Sequence, residues 1–167
     1  FSAVRSFQTK NGINPIGRFG PKTREKLNGM ITTKGEFLYW VSRRFLGKDA
    51  SPWDIAPDEF GCAESVWEIL TKTFGAIVST SKLTNALDNS NLYQEVIVPI
   101  RGDIIISPTG TGNGKIPNGH TGIVSDNGKI MSNNSSNGLW EENFTLESWN
   151  KRYKEQGGYP VLFYRRL

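Results

Sequence analysis

The spacing of apolar residues changes along the chain from a helical period to a strand period. Apolar residues three and four positions apart predict helices over residues 35–46 and 62–74, and a short helix near residues 83–87. From residue 93 onward the pattern is typical of strands, with candidates at residues 93–98, 103–107, 120–125, 129–133 and 160–165. Helices followed by antiparallel strands predict an α+β architecture.

The first 28 residues carry helix signals of their own. Asn11-Gly12 is expected to end a first helix, and Pro21 suits the first turn of a second helix that stops at Asn28-Gly29. A segment this short cannot bury a core alone. We therefore predict a small N-terminal unit over residues 1–28, a linker over 29–35 and a larger domain over 36–167.

The charge balance is mildly basic, with 20 Lys and Arg against 16 Asp and Glu, a net charge of +4. Such a bias favours an anionic partner surface but is too small to predict nucleic-acid binding. The longest apolar run, residues 95–100, is far too short to span a bilayer, so no membrane insertion is expected. Because the chain starts at Phe1 without a Met or a signal-peptide pattern, we expect a fragment or a processed form.

Cys62 and His120 are the single cysteine and the single histidine of the chain. One of each excludes an internal disulfide and a Cys/His zinc site. Cys62 stands at a predicted helix start, where backbone N–H groups and the helix dipole can stabilise a thiolate and an oxyanion. His120 stands at a predicted strand start, and a Cys beside a His is the minimal nucleophile–base pair for acyl transfer. The alternative is a buried structural thiol and a solvated imidazole.

A third side chain would be needed to orient the imidazole, and the turn at residues 126–128 limits the choice. A two-residue turn places Asn133 on the face of His120. A three-residue turn with a bulge places Asn134 opposite His120 and Ser132 on the same face. The sequence leaves both turns open, and we prefer Asn133 as the orienting residue.

Two further features near these residues have simpler explanations than catalysis. The loop 108–119 is rich in glycine but lacks the spacing of a phosphate-binding loop, so we expect a mobile loop that shapes a substrate groove. Asp103 follows a glycine at a strand start, which is typical of a turn carboxylate that binds nearby backbone N–H groups.

The N-terminal residues resemble a known wall-binding module. The stretches Ala3-Val-Arg-Ser-Phe-Gln-Thr-Lys-Asn-Gly12 and Gly17-Arg-Phe-Gly-Pro-Lys-Thr-Arg24 are similar to the C-terminal half of the small three-helix peptidoglycan-binding domain. The first helix of that domain has no counterpart here. The resemblance therefore implies a truncated peptidoglycan-binding domain over residues 1–28.

The rest of the chain resembles the CHAP and NlpC-type cysteine amidohydrolases. The resemblance is carried by Asp58-Glu-Phe-Gly-Cys-Ala-Glu-Ser-Val66, Gly102-Asp-Ile-Ile-Ile106 and Gly119-His-Thr-Gly-Ile-Val124, in the same order as in those families. It implies a papain-like fold, in which a helix with Cys at its N-terminus packs on an antiparallel sheet that presents His.

The resemblance also implies roles for individual residues. Cys62 matches the nucleophile and His120 the base. The position that orients the histidine falls on Ser132 by the NlpC pattern and on Asn134 by the CHAP pattern, and the sequence departs from both patterns there. No metal or organic cofactor is implied.

Together the two resemblances imply a peptidoglycan hydrolase similar to phage endolysins, monomeric and acting outside the cell or at the cell wall. It would cleave an amide bond as an endopeptidase or an N-acetylmuramoyl-L-alanine amidase. The alternative is a non-catalytic wall-binding or phage structural module that keeps the fold. In that case Trp40, Trp53, Trp140 and Trp149 would contact glycan.

Overall fold

The computed structural model describes residues 2–30, 34–51, 61–70, 77 and 79–167. Trp53 and the predicted end of the helix 62–74 lie outside these residues. The chain divides into two compact units, Phe1–Thr33 and Lys34–Leu167. In the described ranges, no helix has the length and apolar character needed to cross a membrane.

The first unit consists of two helices, α1 Ser2–Lys10 and α2 Pro21–Met30, joined by a loop. A buried glutamine, Gln8, fixes the loop between them. Its amide nitrogen donates to Thr23 Oγ1 at 2.9 Å, and its amide oxygen accepts from the Gly17 backbone N–H at 2.9 Å. The buried amide is thus satisfied by the loop and by the start of α2, as a buried polar group requires.

Within residues 34–51, 61–70, 77 and 79–167, the second unit shows four α-helices, a π-helical segment and six strands. The helices are α3 Lys34–Arg44, α4 Gly61–Ile69, α5 Thr80–Asp88 and α6 Leu146–Trp149. The π-helical segment Asn150–Gln156 continues directly from α6. The strands are β1 Tyr93–Glu95, β2 Ile104–Ser107, β3 His120–Val124, β4 Lys129–Asn134, β5 Leu139–Thr145 and β6 Leu162–Arg166.

The six strands form one antiparallel sheet in the order β1-β6-β2-β3-β4-β5. One edge is the three-residue strand β1. The other edge, β5, is partly covered, because the Gly47 N–H donates to the Trp140 carbonyl and the Ala50 N–H donates to the Gly138 carbonyl. The helical and strand segments of this unit confirm the predicted α+β class.

The sheet is buried on both faces. In β2, Ile104 and Ile106 join the core under α3, α4 and α5, whereas Ile105 joins a second core on the opposite face. The first core also contains Leu38, Ala63, Val66, Leu70, Leu83 and Ile123. The second core is formed with α6 and the π-helical segment by Val124, Ile130, Trp149, Tyr153 and Tyr159. The central strands therefore read as continuous apolar runs.

The turn between β3 and β4 fixes the strand register that positions the site. It is a 3-10 turn, Asp126–Gly128, in which Asn127 has a positive φ of 55°. Gly122 pairs with Ser132 across the two strands. Continuing this register by two residues places Asn134, rather than Asn133, opposite His120. The predicted turn is confirmed, and its longer form is the one present.

A buried ion pair ties β6 to the start of β2. Asp103 is fully buried, and Arg165 donates to its two carboxylate oxygens, at 3.0 Å from Nε and 2.7 Å from Nη2. The Ile100 backbone N–H donates to Oδ2 at 2.8 Å, which confirms the predicted turn role of the carboxylate. Gly102 has a φ of 86°, and a side chain there would meet the Gly35 carbonyl.

Candidate active site

Cys62 is the second residue of α4 and is 4% exposed. The backbone N–H groups of Thr121, Ala63 and Cys62 itself lie near its sulfur, where they favour the thiolate. Thr121 follows His120 directly in β3. The N-terminus of α4 and the start of β3 therefore bring the thiol next to the strand residue that carries the imidazole.

His120 is the first residue of β3 and is 8% exposed. Its ring packs against Trp149, at a centroid distance of 5.3 Å, and against Tyr153, at 5.8 Å. The centroid of the Phe144 ring also lies 5.8 Å from that of the imidazole. A glycine is needed at position 119, just before β3, because a Cβ there would lie 1.9 Å from the Ser107 carbonyl oxygen. The imidazole is thus held in one orientation by aromatic packing.

A short hydrogen-bond chain determines which ring nitrogen carries the proton. The Asn143 amide nitrogen donates to the Asn133 carbonyl at 3.2 Å, so its oxygen is the group that accepts from Ser132 Oγ at 2.6 Å. Because the Ser132 hydrogen is used there, Ser132 Oγ accepts from His120 Nε2 at 3.0 Å. The neutral ring therefore has its proton on Nε2 and a lone pair on Nδ1.

The structure corrects our preference for Asn133 as the side chain that orients the ring. The Asn133 amide donates to the Ala50 carbonyl, on the other face of β4. Asn134, the other candidate, donates to Glu141 Oε2 at 2.8 Å. Ser132 holds the ring because the three-residue turn shifts the register by one residue, and such a shift moves every side chain to the opposite face.

Asn143 is a site residue that the sequence did not reveal. The pairing of β4 with β5 shifts between Ile130, which faces Phe144, and Met131, which faces Glu142, so Asn143 is the extra residue of a β-bulge. A bulge can re-aim a side chain out of strict alternation. No feature of the sequence marks a bulge at this position.

Burial moves the pKa values of both candidate groups away from ionisation. It raises the pKa of the Cys62 thiol to about 11, against the smaller opposing effect of the three backbone N–H groups. Burial, followed by the positive charge of Arg152, lowers the pKa of His120 to about 4, while the Asn133 backbone hydrogen bond raises it slightly. At neutral pH the site therefore holds a neutral thiol and a neutral imidazole.

We expect His120 to make the free energy of unfolding depend on pH. Its pKa is 6.5 ordinarily and about 4 in the fold, so the unfolded chain binds more protons between these values. Stability is then full above pH 6.5 and falls by about 3 kcal/mol as the pH drops toward 4. Urea unfolding near neutral pH and near pH 4 should show this loss, and the His120→Gln variant should show a smaller one. Equal losses in the two proteins would contradict the assignment.

The loop 108–119 beside His120 is anchored, which differs from the mobile loop that we expected. The Thr109 N–H donates to Thr80 Oγ1 at 2.8 Å, and the Asn113 N–H donates to the Gly157 carbonyl at 2.7 Å. Tyr159 Oη also donates to the Ile116 carbonyl at 2.7 Å. The loop therefore forms a fixed wall between α5 and the end of the π-helical segment.

The tryptophans expected to contact glycan in a binding module are mostly unsuited to it. Trp140 and Trp149 are buried, and their indole N–H groups donate to Ser42 and Ser107. Trp40 is half exposed.

In the part of the chain that the structure describes, no group of three or more His, Cys, Asp or Glu side chains is placed to hold a metal ion.

The fold is of the α+β class, and the candidate site lies where the N-terminus of α4 meets the start of β3. Residues 33–167 match the Amidase_5 family, described as bacteriophage peptidoglycan hydrolase. The chain belongs to this family, and its activity is the hydrolysis of peptidoglycan. A search among curated proteins finds no significant match.

A solved structure shares the fold. It is a chain of the crystal structure of the type VI native effector–immunity complex Tae3–Tai3 from Ralstonia pickettii, with a TM-score of 0.50 and 17% sequence identity. The match covers 77% of this chain and 98% of that chain. At this identity the similarity concerns the fold, and it agrees with the α+β class predicted from the sequence.

Proposed function

We propose that the chain hydrolyses an amide bond of peptidoglycan by a CHAP/NlpC-like mechanism, with Cys62 as nucleophile and His120 as base. One observation carries the proposal. The single thiol of the chain lies near the backbone N–H of Thr121, the residue after the single imidazole, and Tyr153 neighbours both groups. Membership of a peptidoglycan hydrolase family supplies the substrate.

The neutral resting pair favours general-base catalysis over a preformed ion pair. Cys62 Sγ attacks the carbonyl carbon of the amide while its proton passes to His120 Nδ1, the nitrogen that does not contact Ser132. The imidazolium then protonates the leaving nitrogen, the C–N bond breaks, and a thioester remains. Water, deprotonated by the same imidazole, attacks the thioester and releases a carboxylic acid and the thiol.

The N-terminus of α4 supports the charged intermediate. The Cys62, Ala63 and Thr121 N–H groups surround the sulfur, so they also stand close to an oxygen on the carbon that the sulfur attacks. The first N–H groups of a helix lack intrahelical partners and carry partial positive charge. They are therefore suited to stabilise the oxyanion of the tetrahedral intermediate.

The Ser132–Asn143 chain should position His120 without contacting substrate. Ser132→Ala removes one hydrogen bond to the ring, which corresponds to a roughly tenfold loss in kcat/KM, and Asn143→Ala should act in the same direction. The loss should fall on kcat rather than KM and should change the pH profile. Asn143→Asp, which keeps the acceptor oxygen, should restore part of the rate.

Asn134→Ala is the matched control, because its side chain contacts Glu141 instead of the ring. It should change kcat/KM less than twofold. Similar losses in the Ser132 and Asn134 variants would contradict the positioning role of Ser132.

Mass spectrometry of a digest of purified sacculi tests the class of bond. Amide hydrolysis produces one new primary amine per cleavage, which amine labelling before and after digestion will count. A new amine within the stem peptide or cross-bridge identifies an endopeptidase, and a freed lactyl group identifies an N-acetylmuramoyl-L-alanine amidase. New reducing sugar ends without new amines would refute amide hydrolysis.

The N-terminal unit is assigned to wall attachment in this proposal. Support comes from its resemblance to a peptidoglycan-binding domain and from the exposed side chains of Ile16 and Phe19 in the loop between α1 and α2. The protein then acts as a monomer at the wall or outside the cell.

A further inference from the structure

Arg152 is an exposed cation beside the candidate catalytic pair. It lies in the π-helical segment Asn150–Gln156, a type of helix that is rare and is often found at functional sites. Its guanidinium carbon is 5.7 Å from the centroid of the Tyr153 ring. The same Tyr153 ring packs against His120, with 5.8 Å between the centroids.

Tyr153 connects this cation to both catalytic groups. Its ring packs on the imidazole, and its hydroxyl interacts electrostatically with Cys62 and hydrogen-bonds Arg152. Arg152 therefore lies at the edge of the reacting centre, at a distance spanned by a single aromatic side chain.

The charge of Arg152 has no ion-pair partner within the described ranges. Glu142, which lies in β5 ahead of this segment, pairs with Arg43 and Lys129. Arg152 contacts the ring and the hydroxyl of Tyr153 instead, so its remaining N–H groups are available. A guanidinium with free N–H groups matches the two oxygens of a carboxylate.

We propose that Arg152 is a specificity-determining residue that binds a free carboxylate of the wall peptide next to the scissile amide. The inference rests on the proposed Cys62–His120 mechanism. Wall peptides carry such carboxylates, so the substrate supplies the anion that the chain does not.

This arrangement couples substrate binding to catalysis. The unpaired charge of Arg152 lowers the proton affinity of His120. A bound carboxylate neutralises that charge, so the imidazole becomes a stronger base when the substrate is in place. A peptide without the carboxylate loses both the contact and this gain.

The test compares two synthetic muropeptides, one with all carboxylates free and one with each converted to a primary amide. The wild-type protein should cleave the free acid at least tenfold faster in kcat/KM. Arg152→Gln should lower kcat/KM on the acid by about 10- to 100-fold, the range for a charged hydrogen bond, and should not lower it on the amide, where loss of the charge leaves His120 a stronger base. Lys154→Gln is the matched control, an exposed cation two residues away that should leave both rates unchanged.

Two results would overturn the inference. Equal losses on both peptides would mean that Arg152 acts through the fold or through His120, and unchanged rates in Arg152→Gln would mean that it binds no carboxylate. Failure of the Cys62–His120 mechanism would give other results: Cys62→Ala would still cleave the peptides, or the wild-type protein would cleave neither of them.

Discussion

Replacing Cys62 with alanine is expected to lower the rate of wall hydrolysis by roughly three orders of magnitude or more, because no other thiol is present to form the thioester. His120→Ala should cause a loss of similar size, since the thiol then lacks its base. The double variant should be little worse than either single one, because groups that act as a unit give non-additive losses. Turbidity loss of a sacculus suspension measures all three rates.

Circular dichroism provides the control for this experiment. Alanine fits the space of a buried cysteine side chain, so Cys62→Ala should retain the spectrum and the unfolding midpoint of the parent to within a few degrees. A variant that is folded and fully active would refute the thiol mechanism. Slow alkylation of Cys62 at neutral pH would not refute it, because burial raises the pKa of the thiol to about 11.

Asp103→Ala is expected to destabilise the protein by about 2–3 kcal/mol, because it removes charged hydrogen bonds to Arg165, whose side chain is partly exposed. The substitution leaves the Arg165 guanidinium and the Ile100 N–H without the carboxylate that they share. It also loosens the connection between β2 and β6 at the centre of the sheet. Because a domain of this size is stable by roughly 5–15 kcal/mol, the loss should be evident in urea unfolding.

The matched control is Glu155→Ala, which removes an exposed carboxylate from the π-helical segment. It should change the free energy of unfolding by less than about 0.5 kcal/mol. If Asp103→Ala costs no more than this control, the ion pair does not stabilise the fold in the way described.

The sequence predicts the parts of the fold that depend on local patterns. Apolar periodicity indicates α3 and α4, and the Asn11-Gly12 pair marks the end of α1, where Gly12 has a φ of 67°. The strands β2, β3 and β4 fall within one or two residues of their predicted positions, because buried central strands are apolar throughout.

The elements that sequence patterns miss are those that tertiary contacts decide. The strand β5 alternates poorly because it lies at an edge and contains a bulge, so Leu139–Thr145 has mixed polarity. The predicted strand 93–98 is shortened to Tyr93–Glu95, and Ile97 and Val98 are exposed. Apolar character alone does not distinguish an exposed loop from a strand.

The residues of the candidate site also divide into those that the sequence predicts and those that depend on tertiary contacts. The residue types alone suggest Cys62 and His120, because each is unique in the chain. Ser132 depends on the length of one turn, and Asn143 depends on a bulge, so strand register decides both. The π-helical geometry that brings the Tyr153 ring against His120 has no signal in the sequence.

The two edges of the sheet have a consequence for how copies of the protein behave at high concentration. An edge strand with free backbone groups can act as a template for aggregation through strand addition. Here β1 offers three residues, and the segment 47–50 occupies part of β5. The remaining length of β5 carries the charged residues Glu141 and Glu142, which oppose intermolecular pairing. The sheet is therefore protected against polymerisation without being closed into a barrel.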